Sequence, residues 1–375
     1  MAFRGLPPNN NKKMIIARRG ALSNLGNNKP AIPDPVVAVQ KIPNKVDTPK
    51  PQIKMIKPPN KIVKSWATSS TAQPIEQLTE HVHKLQLESF STQQIDNIDE
   101  GDENQPQLVT EWVNEIYDYL RFLEAKFKIR PAYLKNNDEI RPRMRAILIN
   151  WLVDVHRRFE LLQETLYLAV AIVDRILQDL ELNRFKLQLV GITALWIAAK
   201  YEEISFPELH AFISICKDTF SRSDVRQMEC VILKQLDFSL GRPIPLHFLR
   251  RNSKAANASA QIHTVAKYLM ELTLVHYDMV HHPPSLIAAA ALCLTFKLLN
   301  AISFSWNPTL VHHSKYTEVE LMPVMEKLAR IAIYAEKSEF QAVREKYSSG
   351  RFGGISNSII FKSDIIKRFA MKCMN

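Results

Sequence analysis

The chain has 375 residues, which is enough for two domains and a terminal tail, and its formal net charge is +11. The charge is concentrated at one end: residues 1–66 hold 13 Lys and Arg and two acids, and the other 36 basic and 36 acidic residues cancel. The remainder therefore has no global electrostatic reason to bind nucleic acid.

The N-terminal region is predicted to be a disordered, basic, proline-rich tail over residues 1–105. Ten of the 21 prolines occur by residue 66. Such a segment buries too little apolar surface to offset the entropy lost on ordering. We find no apolar run of signal-peptide type and none long enough to span a bilayer, so we expect an intracellular protein without membrane contact.

The residue types exclude several kinds of site. Cys216, Cys230, Cys293 and Cys373 lack metal-ligand spacing, so neither a metal centre nor a disulfide framework is predicted. A glycine-rich phosphate loop and a nucleophile elbow are both missing from the sequence, so no cofactor and no enzymatic activity is expected.

From about residue 107 the apolar residues recur at helical spacing. One apolar stripe, with polar residues on the opposite face of the helix, consists of Val113, Ile116, Tyr117, Leu120 and Leu123. Only nine glycines occur in the chain, and β-type alternation is scarce. The folded part is therefore predicted to be all-α.

An internal repeat divides the folded part. Residues 187–200 (LQLVGITALWIAAK) align without gaps on residues 284–297 (PSLIAAAALCLTFK), an offset of 97. Each copy is apolar on all sides, which is typical of the central helix of a bundle. We predict two similar helical bundles that join near residues 237–245, where Gly241, Pro243 and Pro245 interrupt any helix.

One segment of the first bundle is wider in apolar surface than a single core contact requires. Met144, Ile147, Leu148 and Trp151 share a helical face at i, i+3, i+4 and i+7. A doubly buried core helix and an exposed docking patch both account for this pattern. Spacing alone favours the core helix.

Several ordered motifs resemble the cyclin box, and together they resemble the mitotic B-type cyclins. They include MRAIL, ETLYLAV, LQLVGITA, AAKYEE, RQMECVILKQLDF and LGRPIPLHFLRR. The resemblance covers roughly residues 107–350. It implies two tandem five-helix repeats: an N-terminal box with a preceding helix over residues 107–240, and a C-terminal box over residues 241–365.

The resemblance implies functional residues in the first box. The family's substrate-docking patch falls on the four residues above together with Leu187 and Gln188, next to Asn150 where relatives usually carry Asp. Its kinase-contacting positions fall on Tyr117, Lys200 and Glu229. Without the resemblance, Lys200 is only a cation near a helix C-terminus and Glu229 a solvated residue.

Arg145 and Asp174 match the family's internal ion pair, which we interpret as structural because breaking a buried pair is strongly destabilising. In the second box, Arg250, His263 and Lys267 match a basic arrangement that receives phosphorylated motifs in B-type relatives. Judged by residue type alone, these three residues are better explained as a solvated basic edge.

The tail contains the string RRGALSNLGNN at residues 18–28. Arg19, Leu22, Leu25 and Asn27 resemble the destruction box that brings B-type cyclins to the anaphase-promoting ubiquitin ligase. An extended segment can offer one Arg and two Leu anchors to separate pockets.

The resemblance implies a regulatory subunit of the mitotic cyclin-dependent kinase, present in cytoplasm and nucleus according to the cell cycle, that helps to select kinase substrates. The main rival is a cyclin-fold general transcription factor. That class usually brings a zinc ribbon and a basic core, whereas the first cysteine here is Cys216 and residues 67–375 are neutral. A helical scaffold without a kinase partner is a third possibility.

Overall fold

The computed structural model describes residues 95–299 and 304–372, and this part of the chain is helical without a β-strand. Its α-helices are α1 (Val113–Lys126), α2 (Pro142–Arg158), α3 (Gln163–Asp179), α4 (Leu187–Glu202), α5 (Leu209–Ile215), α6 (Arg222–Gln235), α7 (Pro245–Ala255), α8 (Ala260–Leu272), α9 (Pro284–Leu299), α10 (Pro308–Ser314), α11 (Glu318–Tyr334), α12 (Ala342–Ser348) and α13 (Asp364–Lys372).

Two five-helix bundles, α2–α6 and α7–α11, follow one another along the chain, as predicted. Each is built around the helix that the repeat identified. Helices α4 and α9 have 16 residues each, start 97 positions apart and are buried over most of their length. A helix without a polar face is stable only when neighbours surround it, and this explains their central position.

Proline and capping residues determine where several helices begin. Pro142, Pro245 and Pro308 start α2, α7 and α10, where the missing N–H of proline leaves no hydrogen bond unmade. In α6, Ser221 and Asp224 form a reciprocal capping box, in which each side chain accepts a hydrogen bond from the other residue's backbone N–H. This fixes the start of the helix that carries Glu229.

Helix α1 contacts the second bundle, although the sequence analysis grouped it with the first box. The Tyr117 hydroxyl donates to the His247 carbonyl at 2.9 Å, and Arg121 Nη2 donates to the Ser314 carbonyl at 2.6 Å. Helical spacing identified α1 but carries no information on which bundle covers its apolar side.

Residues 95–105, assigned above to the disordered tail, are held on the second bundle by ion pairs. Asp99 lies 2.6 Å from Arg251 Nη2 and 2.8 Å from Lys254 Nζ, and Thr309 Oγ1 donates to Asp96 at 3.1 Å. The hydrogen bond from Arg251 lowers the pKa of Asp99 to about 2. Charge pairing, rather than apolar burial, holds these residues, and the amino-acid composition of the tail does not indicate it.

The C-terminal part of the described chain packs back on the second bundle. Helix α13 lies against α11 and buries Ile366 completely. The predicted end of the second box at residue 365 falls inside this helix. The apolar residues of α13 need a covered face, and α11 provides it.

Candidate functional site

The two bundles meet at a buried ion pair. Arg145 Nε and Nη2 donate to the two carboxylate oxygens of Asp174 at 2.6 and 2.8 Å, and Arg145 Nη1 donates to the carbonyl of Leu274 in the second bundle at 2.9 Å. Arg145 is only 1% exposed. Burial by itself would lower the pKa of this guanidinium, but the charge and hydrogen bonds of Asp174 outweigh burial and raise it.

All six residues of the predicted docking patch line one open groove of about 310 Å³ between α2 and α4. They are Met144, Ile147, Leu148, Trp151, Leu187 and Gln188, and Arg184 completes the lining. Ile147 is half exposed, whereas Leu148 and Leu187 are buried and form the floor. This helix face is therefore core at Leu148 and exposed at Ile147.

A glycine permits the helix crossing beneath this groove. A Cβ added to Gly191 would lie 2.6 Å from Leu148 Cδ1, so α4 packs closely on the Leu148 side chain of α2, which would have to shift to admit a larger residue at position 191. Asn150, noted above as a departure from the family, points elsewhere: its Oδ1 accepts a hydrogen bond from the Ala342 backbone N–H at 3.0 Å. Asn150 therefore ties α2 to α12 and does not act in the groove.

Lys200 and Glu229 form an ion pair with each other across α4 and α6. Lys200 Nζ also lies 5.1 Å from the centre of the Trp196 ring, a cation–π contact. The Glu229 side chain is 15% exposed and that of Lys200 is 35% exposed. A partner approaching this surface meets a charge pair that is already oriented.

Exposed apolar residues extend from Lys200. Tyr201 is 56% exposed, Ile204 is fully exposed, and Phe206 is 39% exposed while its ring contacts Trp196 edge to face at 5.4 Å. Apolar side chains that remain in water beside an ordered charge pair are typical of a binding surface. The predictions from sequence named none of these three residues.

Tyr117 does not face this surface. Its hydroxyl is used by His247, and its ring contacts Phe248 at 6.1 Å. The exposed side of α1 instead carries Trp112, Ile116, Tyr119 and Phe122, each more than two-fifths exposed. Their spacing of four and three residues was visible in the sequence, but this set overlaps the stripe on the packed side. Spacing alone could not show which of the two sets is exposed.

The predicted phosphate-binding residues lie near one another on α7 and α8. Arg250 is paired with Glu164 of α3, and His263 Nδ1 lies 2.8 Å from Ser253 Oγ. Burial, followed by the charges of Lys267 and Arg250, lowers the pKa of His263 to about 4, so the imidazole is neutral at physiological pH. Burial also lowers the pKa of Lys267.

A polar cluster beside these residues was not predicted. Glu271, fully buried on α8, accepts hydrogen bonds from Lys346 Nζ at 2.6 Å, Tyr347 Oη at 2.9 Å and Gln163 Nε2 at 2.7 Å. Gln163 belongs to the first bundle and the other three to the second part of the chain. The cluster is therefore a second polar connection between the bundles.

Across residues 95–299 and 304–372, no group of three or more His, Cys, Asp or Glu side chains is arranged to hold a metal ion. In the same ranges, no helix is long and apolar enough to cross a membrane.

Comparison with known proteins agrees with this architecture. The cyclin N-terminal domain model matches residues 115–241, and the cyclin C-terminal domain model matches residues 243–359. The cyclin-B2 protein of Gallus gallus, named G2/mitotic-specific, is 41% identical over 381 residues, which cover 96% of this chain and 93% of that protein. The chain belongs to the cyclin family.

Its relatives are of the B type. The G2/mitotic-specific cyclin-B of Spisula solidissima is 54% identical over 285 residues, which cover 76% of this chain and 66% of that protein. The corresponding cyclin-B of Patella vulgata is 52% identical, again over 66% of its own length. This cyclin therefore matches slightly less than two thirds of the length of these two proteins.

Among solved structures, a viral cyclin from herpesvirus saimiri superposes with a TM-score of 0.51 at 20% identity, covering 57% of this chain and 96% of that chain. At this identity the likeness concerns the fold. It agrees with the two tandem bundles of this cyclin.

The destruction-box residues predicted in the cyclin tail, Arg19, Leu22, Leu25 and Asn27, lie outside the described residues. The other predicted sites fall into four separate places: the groove, the buried Arg145–Asp174 pair, the Lys200–Glu229 surface and the Arg250 pocket. Tyr117 belongs to none of them.

We expect the buried pair to be essential for stability. Arg145→Met should lower the free energy of unfolding by roughly 3–5 kcal/mol, because the variant leaves the Asp174 carboxylate buried without its partner. Urea unfolding followed by circular dichroism measures this. The double variant Arg145→Met/Asp174→Leu should recover part of the loss, since it leaves no unpaired charge.

The matched control is Arg143→Met, two residues away on the same helix, where the pair with Glu339 at 2.8 Å is exposed to solvent. Its unfolding midpoint should stay close to that of the wild type. Equal midpoints for Arg145→Met and Arg143→Met would contradict the structural role assigned to Arg145.

Proposed function

We propose that this cyclin is the regulatory subunit that binds and activates a mitotic cyclin-dependent kinase. The observation that carries the proposal is the ordered Lys200–Glu229 pair beside the exposed Tyr201, Ile204 and Phe206. The names of its B-type relatives, which describe G2/mitotic-specific cyclins, supply the stage of the cell cycle. The protein itself contributes no catalytic group.

Activation on this proposal is a shift between kinase conformations. A kinase is active when its Lys–Glu ion pair and its metal-binding Asp are in place together, which depends on the position of its regulatory helix. A cyclin that binds only the active position of that helix increases its population without taking part in chemistry. Apolar side chains such as Ile204 gain most from such a contact, because binding removes them from water.

The exposed side of α1 is a second part of the proposed kinase surface. Trp112, Ile116 and Tyr119 are exposed there and join Tyr117 in the proposed assignment, although the Tyr117 hydroxyl is hydrogen-bonded to the second bundle. Aromatic residues of this kind often dominate the energetics of an interface.

The groove between α2 and α4 is proposed to dock Arg/Leu-type peptides of kinase substrates. Its floor is apolar, Ile147 and Trp151 stand at its open side, and it is open along its length. A leucine side chain from a peptide would cover Ile147 and gain the free energy of removing both from water.

The tail motif and the basic pocket complete the proposal. The motif Arg19-x-x-Leu22-x-x-Leu25-x-Asn27 would bring the protein to the anaphase-promoting ubiquitin ligase at mitotic exit, and the Arg250 pocket would receive phosphorylated motifs of partner proteins. We place the protein in both cytoplasm and nucleus, according to the cell cycle.

Charge exchange at the ion pair tests the kinase surface. Lys200→Glu should lower histone-kinase activity in the complex with the kinase, and kinase affinity, by at least about tenfold, equivalent to about 1.4 kcal/mol. The exchange variant Lys200→Glu/Glu229→Lys restores the internal pair but presents it reversed. Continued inactivity of the exchange variant is expected; full recovery would mean that the pair is only structural. Lys234→Glu is the control, because Lys234 is exposed on α6, the helix that carries Glu229.

Trp151→Ala tests the docking groove. Loss of a half-buried aromatic at the centre of a peptide site costs about 2 kcal/mol, so affinity for an Arg-x-Leu peptide should fall roughly 30-fold by isothermal titration. Phe185→Ala removes a 74% exposed aromatic just outside the groove and should change nothing. Kinase activity towards a peptide without the docking motif should be equal in all three proteins.

The tail motif is tested by protein lifetime. Arg19→Ala/Leu22→Ala should lengthen the half-life through mitotic exit, because two anchors for the ubiquitin ligase are lost. Arg4→Ala/Leu6→Ala removes the same residue types elsewhere in the tail and should leave the half-life as in the wild type. Degradation of the Arg19/Leu22 variant at the wild-type rate would reject the motif.

A further inference from the structure

The basic pocket formed by Arg250, His263 and Lys267 already contains an anion that belongs to the protein. Arg250 Nη2 contacts Glu164 Oε1, and the two residues come from different bundles. The Arg250 side chain remains about half exposed, whereas that of Glu164 is mostly covered, at 18% exposed. The Glu164 carboxylate is therefore held by Arg250, the same side chain that a phosphate ligand would need.

The rest of the pocket is not neutralised in the same way. Lys267 is half-buried and has no hydrogen bond or ion pair among the described residues. His263 uses Nδ1 for Ser253, which leaves Nε2 without a protein partner there. The nearby Lys346 is fully engaged by Glu271 at 2.6 Å. Lys267 and His263 Nε2 therefore have no hydrogen-bond partner among the described residues, whereas the Arg250 guanidinium is paired with Glu164.

We propose that Glu164 is a built-in competitor for Arg250, which lowers the affinity of the pocket for every anion so that only phosphorylated serine or threonine motifs bind usefully. This inference rests on the proposed role of the pocket as a phosphopeptide site. It adds the residue that sets the affinity threshold.

Physical chemistry explains why a phosphate monoester passes this threshold and a carboxylate does not. An intramolecular carboxylate competes at a high effective concentration, so a ligand carboxylate of equal charge has little advantage over it. A phosphate monoester carries a charge of about −1.5 to −2 and three acceptor oxygens. It can therefore engage Arg250 and Lys267 together, whereas Glu164 is hydrogen-bonded to Arg250 and acts on Lys267 only through its charge.

The position of Glu164 stabilises its carboxylate after release from Arg250. It lies in the first turn of α3, where the helix dipole stabilises a negative charge. The bond from Arg250 and a backbone hydrogen bond outweigh the effect of burial and lower the pKa of Glu164, so the competitor remains ionised at physiological pH. After displacement, the carboxylate keeps the helix terminus as its stabilising environment.

The test measures binding of the full chain to a short fluorescent peptide with a single phosphoserine between neutral residues, and to its serine and glutamate counterparts. Glu164→Gln removes the charge at constant size and should tighten phosphopeptide binding by about three- to tenfold, the range expected for breaking a partly exposed ion pair and its repulsion of the ligand. The affinity of this variant for the glutamate peptide should rise by a similar factor and become measurable.

Two controls separate competition from a general change of charge. Glu202→Gln removes a carboxylate that interacts with Glu164 but does not contact Arg250, so affinity should hardly change. In an Arg250→Ala background, Glu164→Gln should lose most of its gain, because the ion pair with Arg250 is already absent and only the repulsion between Glu164 and the ligand is relieved. An undiminished gain in that background, or an equal gain from Glu202→Gln, would overturn the competitor role.

The outcomes also distinguish the two levels of the proposal. If the wild type binds the phosphoserine peptide more tightly than the serine peptide, and Arg250→Ala removes the difference, the pocket stands. Unchanged affinity of Glu164→Gln would then refute only the competitor. If neither the wild type nor Glu164→Gln prefers the phosphoserine peptide, the pocket itself is refuted and the competitor with it.

Discussion

The buried guanidinium of Arg145 is the constraint on which the arrangement of the two bundles depends. Two of its hydrogen bonds go to Asp174 within the first bundle, and the third goes to the Leu274 carbonyl of the second. Because a charge removed from water must have all its donors satisfied, the first bundle is incomplete until the second has docked. The Tyr133 hydroxyl, which donates to Asp174 at 2.7 Å, extends the same network.

Two further connections between the bundles are also polar and directional. Glu271 accepts hydrogen bonds from Gln163, Lys346 and Tyr347 in a buried cluster. Arg250 forms a more exposed ion pair with Glu164. Apolar packing tolerates sliding, whereas bonds of this kind are lost when their geometry changes. A fixed orientation follows, so that surfaces on different bundles keep a constant relation. The Arg250 pocket depends on this directly, because its competitor belongs to the other bundle.

How much was predictable from the sequence depends on whether the signal is local. The repeat located α4 and α9 because an all-round apolar helix has a distinct composition, and i, i+3, i+4 spacing found the groove residues of α2. The Arg145–Asp174 pair required the family resemblance. Nothing local marks Asp99 as the partner of Arg251, 152 positions away, nor Glu164 as the partner of Arg250.

The two sides of α1 show the same limit. On α1 two apolar stripes run side by side, one packed on the second bundle and one in solvent, and periodicity measures amphipathicity without identifying the neighbour. Exposure decides the matter: Tyr119 is 59% exposed, whereas the Tyr117 hydroxyl is hydrogen-bonded inside the protein.

Helix α2 shows how one element can belong to the core and also line an exposed groove. Leu148 is buried against Gly191, and it forms the floor of a groove whose open side exposes Ile147. The floor of the groove is therefore formed where the Leu148 side chain packs closely against the glycine at position 191. A peptide that enters needs no rearrangement of the bundle, because its floor is already close-packed and its walls are already apolar. Binding strength then comes from covering Ile147 and Trp151, and the stability of the first bundle maintains the shape that makes this possible.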